Sequence, residues 1–139
     1  MRQRILVVDD ERDVITGFRR VFEKDDVLID AAHSGAEAIA AIRAHRPDLV
    51  MMDLRMPGLD GLQTLRKMQQ LDPRLLIILM TAYSTSANVI EAMKHGAYDY
   101  LIKPFSVEKL REIVKEALAI STDRATTVDV VPPVGEAEA

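Results

Sequence analysis

Five short apolar runs, separated by amphipathic segments, constrain the fold of this chain more than any other feature. Each run has the length of a buried strand and is too short for a helix. The segments between and after them carry apolar residues at helical spacing, as in Val14 to Phe22 and Leu110 to Leu118. Strict alternation predicts a parallel sheet with helices on both faces, a three-layer α/β fold. The runs are Ile5–Val8, Val27–Ala31, Leu49–Met52, Leu75–Met80 and Tyr98–Ile102.

Residues that cap helices agree with this alternation. Ser34 followed by Glu37 is typical of a capping box, and Asp60 and Ser106 are predicted N-caps. Gly96 has the position of the glycine that follows a helix. The helices therefore have predicted starts and ends.

The length and the composition predict one domain followed by a short extension. With 139 residues the chain can bury a substantial core, and we assign residues 1–120 to a single domain. Residues 121–139 contain no aromatic residue, a Pro-Pro pair and an acidic, Ala-rich end. We expect a linker or a flexible C-terminal tail there.

The charge balance argues against several classes of partner. Lys and Arg number 18 and Asp and Glu number 22, for a net charge of −4 and a pI near 5.4, so we expect no direct binding to nucleic acid. The absence of cysteine excludes disulfides and thiolate metal sites. No apolar stretch of the sequence has bilayer-spanning length, so we expect a cytoplasmic protein that does not enter a membrane.

Polar residues follow four of the five predicted strands. Taken singly they are ordinary: an N-cap and its neighbour, a turn residue, or a surface turn before proline. In an open α/β sheet, however, ligands bind outside the carboxyl ends of the strands, where all four positions meet. They are Asp9 and Asp10 after the first strand, Asp53 after the third, Thr81 after the fourth, and Lys103 with Pro104 after the fifth.

This set of residues predicts phosphoryl chemistry with a divalent cation. Three carboxylates form an oxygen-rich site of the kind that Mg²⁺ prefers, and a carboxylate such as Asp53 can attack phosphorus. Lys103 would neutralise one phosphoryl oxygen and Thr81 would donate a hydrogen bond to another.

Four segments resemble the receiver domains of two-component response regulators. They are "ILVVDDE", "PDLVMMDLRMPGLDGL", "IILMTAY" and "GAYDYLIKPF", and the resemblance covers residues 4–120. These segments are most similar to those in receiver domains of the nitrogen-regulation (NtrC-like) class. The resemblance implies a flavodoxin-like (βα)5 fold with strand order 2-1-3-4-5.

The resemblance also implies a role for each residue of the predicted site. Asp53 would accept a phosphoryl group from a sensor histidine kinase or a small phosphodonor. Asp10 and Asp53 would bind Mg²⁺ (or Mn²⁺) directly, Asp9 largely through water, and Arg55 through its backbone carbonyl. The peptide bond between Lys103 and Pro104 is cis in such domains.

A conformational switch is implied as well. Thr81 would move toward the phosphoryl group while Tyr100 turns inward, and Arg55 and Tyr83 would tune how long the phosphoryl group lasts. The surface of the fourth helix, fifth strand and fifth helix, about residues 86–118, would form a homodimer. The domain would promote its own phosphorylation and dephosphorylation without acting as an enzyme on other substrates.

The output of such a domain is typically transcription, through a downstream domain. The chain contains no glycine-rich nucleotide loop and no helix-turn-helix pattern, so it is either an excised receiver or a stand-alone regulator. The Pro-Pro pair favours the first.

Three other functions compete with this interpretation. An aspartate-nucleophile phosphatase would carry an acid two residues after the nucleophile, where this chain has Arg55. A flavin-binding electron carrier would need a hydroxyl- and glycine-rich loop where the chain has "DDERD". A purely structural interaction domain would leave the charged strand ends unexplained. The phosphatase is the alternative that we retain.

Overall fold

The computed structural model describes residues 2–54, 61–82 and 87–130. These residues form five strands and five helices that alternate along the chain, and every predicted apolar run overlaps a strand, although Leu75 and Tyr98 lie one residue before theirs. The strands are β1 (Gln3–Val8), β2 (Val27–Ala32), β3 (Leu49–Asp53), β4 (Leu76–Thr81) and β5 (Asp99–Ile102). The helices are α1 (Arg12–Val21), α2 (Gly35–Ala44), α3 (Gly61–Leu71), α4 (Ala87–Lys94) and α5 (Val107–Val130).

The strands form one sheet in the order β2-β1-β3-β4-β5, and every neighbouring pair is parallel. This confirms the predicted α/β class and the strand order that the resemblance implied. Because all five strands run the same way, their carboxyl ends meet at one edge of the sheet.

Two apolar cores lie on opposite faces of the sheet. Leu6 and Val8 of β1 pack with residues of α2, α3 and α4, whereas Ile5 and Val7 pack with residues of α1 and α5. Successive side chains of a strand point to opposite faces, so a central strand covered on both faces is apolar throughout. This explains the continuous run from Leu49 to Met52, which is fully buried.

The predicted helix caps at Ser34 and Ser106 are formed, and the capping box at Ser34 differs from the expected one in one hydrogen bond. The Ser34 hydroxyl accepts a hydrogen bond from the Glu37 N–H at 3.1 Å, and the Ser106 hydroxyl accepts one from the Lys109 N–H at 3.0 Å. The Glu37 carboxylate accepts from the N–H of His33 at 2.9 Å, so the second half of the capping box lies one residue earlier than expected. The predicted cap Asp60 lies outside the described residues.

Gly96 follows α4 with a positive φ of 102°. The Gly96 N–H donates to the carbonyl of Met93 and the Ala97 N–H to the carbonyl of Ala92, the pattern that closes a helix at a left-handed glycine. The predicted end of α4 is therefore confirmed.

The last helix continues beyond the expected domain boundary at residue 120, because α5 runs to Val130. At the amino-terminal edge of the sheet it is tied to β1, where Gln3 Nε2 donates to the Leu118 carbonyl at 3.1 Å and to the Thr122 hydroxyl at 3.0 Å. The first ten residues of the expected linker are thus helical, and residues 131–139 lie outside the described residues. The division of the chain at residue 120 stays a prediction.

Candidate functional site at the carboxyl edge of the sheet

The strands bring the predicted site residues to one edge of the sheet. Asp9 directly follows β1, Asp53 and Thr81 are the last residues of β3 and β4, and Lys103 directly follows β5. Asp9 is fully buried, Asp53 is 7% exposed and Thr81 is 3% exposed. Buried charges need partners, so the neighbours of these groups decide what the site can do.

Lys103 supplies a cation to two of the carboxylates. Its Nζ lies 3.0 Å from Asp53 Oδ2 and 3.3 Å from Asp9 Oδ2. The backbone positions it, since the Lys103 N–H donates to the Thr81 carbonyl at 2.7 Å. The peptide bond between Lys103 and Pro104 is cis.

Asp10 adds a third carboxylate to the edge. One oxygen from each of Asp9, Asp10 and Asp53 lies within 4.8 Å of the others, and Asp10 is exposed to solvent. Two buried carboxyl groups beside an exposed one form a set of oxygen ligands that solvent ions can reach and that suits a hard divalent cation.

The pKa values reflect the crowding of charge. Burial raises the pKa of Asp9, and the neighbouring Asp53 charge adds to that rise, while the Glu11 N–H at 2.9 Å and the Lys103 ammonium oppose it. For Lys103, burial favours the neutral amine, but the hydrogen bond and charge of Asp53, together with Asp9, prevail and raise its pKa. The ammonium is therefore firmly charged, and the carboxylates carry more negative charge than it neutralises.

The proposed switch residues share one face of the sheet. Thr81 pairs with Ile102 across β4 and β5, and Tyr100 lies two residues earlier on β5, so all three point to the side covered by α4. The Tyr100 side chain is 36% exposed. Arg55 and Tyr83 lie outside the described residues, so the predicted carbonyl ligand does too.

Sequence reasoning overlooked the carboxyl end of β2. His33 directly follows this strand, and its ring Nδ1 lies 3.3 Å from the backbone carbonyl of Asp9. The signal was available, because a parallel sheet brings the end of β2 to the same edge as the other four strands. His33 therefore contacts the loop that presents the acidic residues.

Comparison with known proteins decides the family. The model of the response regulator receiver domain matches residues 5–115. The chain belongs to the response regulator receiver family. Its function is accordingly that of a receiver domain, a signalling module of two-component systems that interacts with histidine kinases or other phosphodonors.

Two curated relatives illustrate the range of the family. The receiver is 39% identical over 119 residues to the regulatory protein AtoC of Escherichia coli K12, covering 86% of this chain and 26% of AtoC. It is 32% identical over 123 residues to sporulation initiation phosphotransferase F of Bacillus subtilis, covering 88% of this chain and 99% of that protein. The chain thus spans about a quarter of AtoC and nearly all of the second relative.

Solved structures agree with this assignment. NtrX from Brucella abortus superposes with a TM-score of 0.85 at 29% identity, over 99% of this chain and 32% of NtrX. A CheY-like receiver domain from Methanospirillum hungatei superposes at 0.84 with 27% identity, over 89% of this chain and 99% of that one. With AtoC and NtrX among its relatives, the chain is an NtrC-like receiver. Among the described residues no helix combines the length and the apolar character needed to cross a bilayer.

Proposed function

We propose that Asp53 is the phosphoacceptor of this receiver and that a histidine kinase or a small phosphodonor supplies the phosphoryl group. The observation that carries the proposal is the Asp53 carboxylate, 7% exposed, at 3.0 Å from an ammonium that it shares with Asp9. A nearly buried carboxylate that pairs with a cation is held in one position, which is what attack on phosphorus requires.

The proposed transfer forms one bond and breaks one. An Asp53 carboxylate oxygen attacks the phosphorus of the donor, a P–O bond forms, and the bond from phosphorus to the donor's nitrogen or oxygen breaks, with the electron pair leaving on the donor atom. The Lys103 ammonium would then pair with a phosphoryl oxygen, and the Thr81 hydroxyl, on the neighbouring strand, would donate to another.

Asp9, Asp10 and Asp53 would hold a divalent cation, Mg²⁺ or Mn²⁺, with the backbone carbonyl of Arg55 as a further ligand. Their oxygens lie within 4.8 Å of one another, and the excess negative charge at this edge supports the assignment. The bound ion would offset the negative charge that builds up as the phosphoryl group approaches Asp53.

Signalling would follow from the added charge. We propose that Thr81 turns toward the phosphoryl group, that Tyr100 moves inward from its 36% exposed position, and that the surface of α4, β5 and α5 then forms a homodimer. The exposed apolar residues Ile90 and Ile102 on this surface support the last step. Thr81→Ala should abolish phosphorylation-dependent association, and unchanged association in that variant would contradict the coupling.

We further propose that the receiver promotes its own phosphorylation and dephosphorylation, acts in the cytoplasm, and controls transcription through a domain that follows it in the full regulator. The relation to AtoC, a regulatory protein much longer than this chain, supports that output.

The proposal is tested by intact mass after incubation with Mg²⁺ and acetyl phosphate. The native chain should gain one phosphoryl group, Asp53→Asn should gain none, and a chelator should prevent the gain. Asp30→Asn is the matched control, because Asp30 is a strand carboxylate paired with Arg4 at 2.8 Å and lies away from the acidic edge. Equal phosphorylation of Asp53→Asn and the control would refute the assignment.

A further inference from the structure

The ring of His95, at the end of α4, contacts two groups of opposite charge through the same nitrogen. His95 Nε2 lies 2.9 Å from Nη2 of Arg66, on α3. The same atom lies 3.0 Å from Oε2 of Glu91, one turn earlier on α4. None of these three side chains belongs to the acidic site described above.

One ring nitrogen cannot serve both partners at once. A guanidinium has donors and no acceptor, so the contact with Arg66 requires a lone pair on Nε2. An ionised carboxylate accepts and cannot donate, so the contact with Glu91 requires a proton on Nε2. The two contacts therefore exclude each other, and the protonation of one atom selects between them.

We propose that the hydrogen bond between His95 and Arg66 forms a tie between α3 and α4, and that protonation of His95 Nε2 breaks it. With Nε2 unprotonated, the ring accepts from Arg66 and joins the two helices. With the ring doubly protonated, Nε2 donates to Glu91 within α4, and the imidazolium repels the guanidinium of Arg66.

The other groups near the ring are a cation and a neutral amide. The Lys94 ammonium precedes His95, and the neutral side chain of Gln69, on α3, lies against Gly96. A positive charge at the carboxyl end of a helix interacts favourably with the helix dipole, which offsets the repulsion from Lys94. Protonation of the ring on acidification should therefore release Arg66.

The tie has a consequence for the surface that carries Ile90. Because α4 is part of the proposed homodimer interface, its attachment to α3 would determine the position of α4 in that interface. This consequence rests on the proposed function, whereas the exchange of partners at His95 does not.

Nitrogen NMR of the His95 ring tests the proposal directly. At about pH 8 the native ring should carry its proton on Nδ1 and leave Nε2 unprotonated. In Arg66→Met, which removes the donor, the proton should move to Nε2, where Glu91 accepts it. Protonated Nε2 in the native chain at that pH would overturn the proposal, because Glu91 would then hold the ring throughout.

The Arg66 guanidinium provides a second readout that needs no phosphorylation. Its N–H signals should change over the same pH range as the His95 ring, and its exchange with solvent should become about two- to fivefold faster when the ring is protonated. Both effects should disappear in His95→Gln. They should persist in His45→Gln, which removes the exposed histidine at the end of α2. Loss of the response in the control, or its survival in His95→Gln, would refute the tie.

Discussion

At the scale of single residues, Lys103 should stabilise the fold through its ammonium. Replacing it with methionine leaves Asp53 and Asp9 without the cation at 3.0 and 3.3 Å. Because Lys103 is partly exposed, solvent weakens this ion pair. We therefore expect Lys103→Met to lower the free energy of unfolding by about 1–3 kcal/mol without Mg²⁺. Since the pKa of Lys103 is raised above 10.5, its contribution is fully present at neutral pH and is lost only as the pH rises through the higher folded value.

Urea denaturation measures this loss, and Lys67→Met is the control because Lys67 is exposed on α3. Equal loss in the two variants would show that the shared ion pair does not stabilise the fold.

The buried carboxyl of Asp9 should make the fold less stable as the pH rises. A carboxylate in a surface salt bridge makes the fold less stable as the pH falls. Burial raises its pKa above 3.8, so the folded chain retains this proton over an interval where the unfolded chain has released it. The free energy of unfolding contributed by Asp9 therefore falls as the pH rises from about 3.8 through the folded pKa. Asp9→Asn should raise stability at neutral pH without Mg²⁺, and stability that decreases in this variant would contradict the sign.

The site residues were predictable because each one lies at the end of a strand or directly after it. Asp9, Asp53, Thr81 and Lys103 could be placed on one edge from the chain direction alone. The His33 contact and the sharing of one ammonium by two acids could not, since they depend on contacts between the ends of β1, β2, β3 and β5 that the order of residues does not encode.

At the scale of helices and strands, two glycines should respond oppositely to the same substitution. Gly96 has φ of 102°, and an added Cβ would lie 2.5 Å from Gln69 Nε2, so Gly96→Ala should cost about 1–3 kcal/mol. Gly17 lies inside α1 with nothing within 4 Å of an added Cβ, so Gly17→Ala should stabilise the chain by about 0.5–1 kcal/mol. Thermal unfolding of both variants checks the pair, and the same sign in both would contradict the conformations described.

The length of α5 was not predicted from the composition near residue 120. The change in composition near residue 120 indicated a linker, but helix formation depends on the backbone, and no glycine or proline interrupts residues 107–131. α5 extends to Val130, which is the last described residue. The absence of glycine and proline was thus a better signal for the length of α5 than the loss of apolar spacing.

At the scale of the whole molecule, a cation at the acidic edge should stabilise the folded receiver. A ligand at a hundredfold excess over its dissociation constant adds about 2.7 kcal/mol to the free energy of unfolding. Mg²⁺ should therefore raise the melting temperature, and a chelator should reverse the rise. Asp10→Asn should lose most of this response while its stability without metal changes little, because Asp10 is exposed. An undiminished Mg²⁺ response in that variant would place the ion elsewhere.

The central claim is that Asp53 carries the phosphoryl group, and the most direct measurement is the position of the label within the chain. Borohydride reduces an aspartyl phosphate to homoserine, which survives proteolysis and is located by peptide mass spectrometry. After incubation with Mg²⁺ and acetyl phosphate, the account predicts homoserine at position 53 and unchanged aspartate at positions 9 and 10. Homoserine at either of those positions, or at none of the three in a chain that has gained a phosphoryl group, would contradict it.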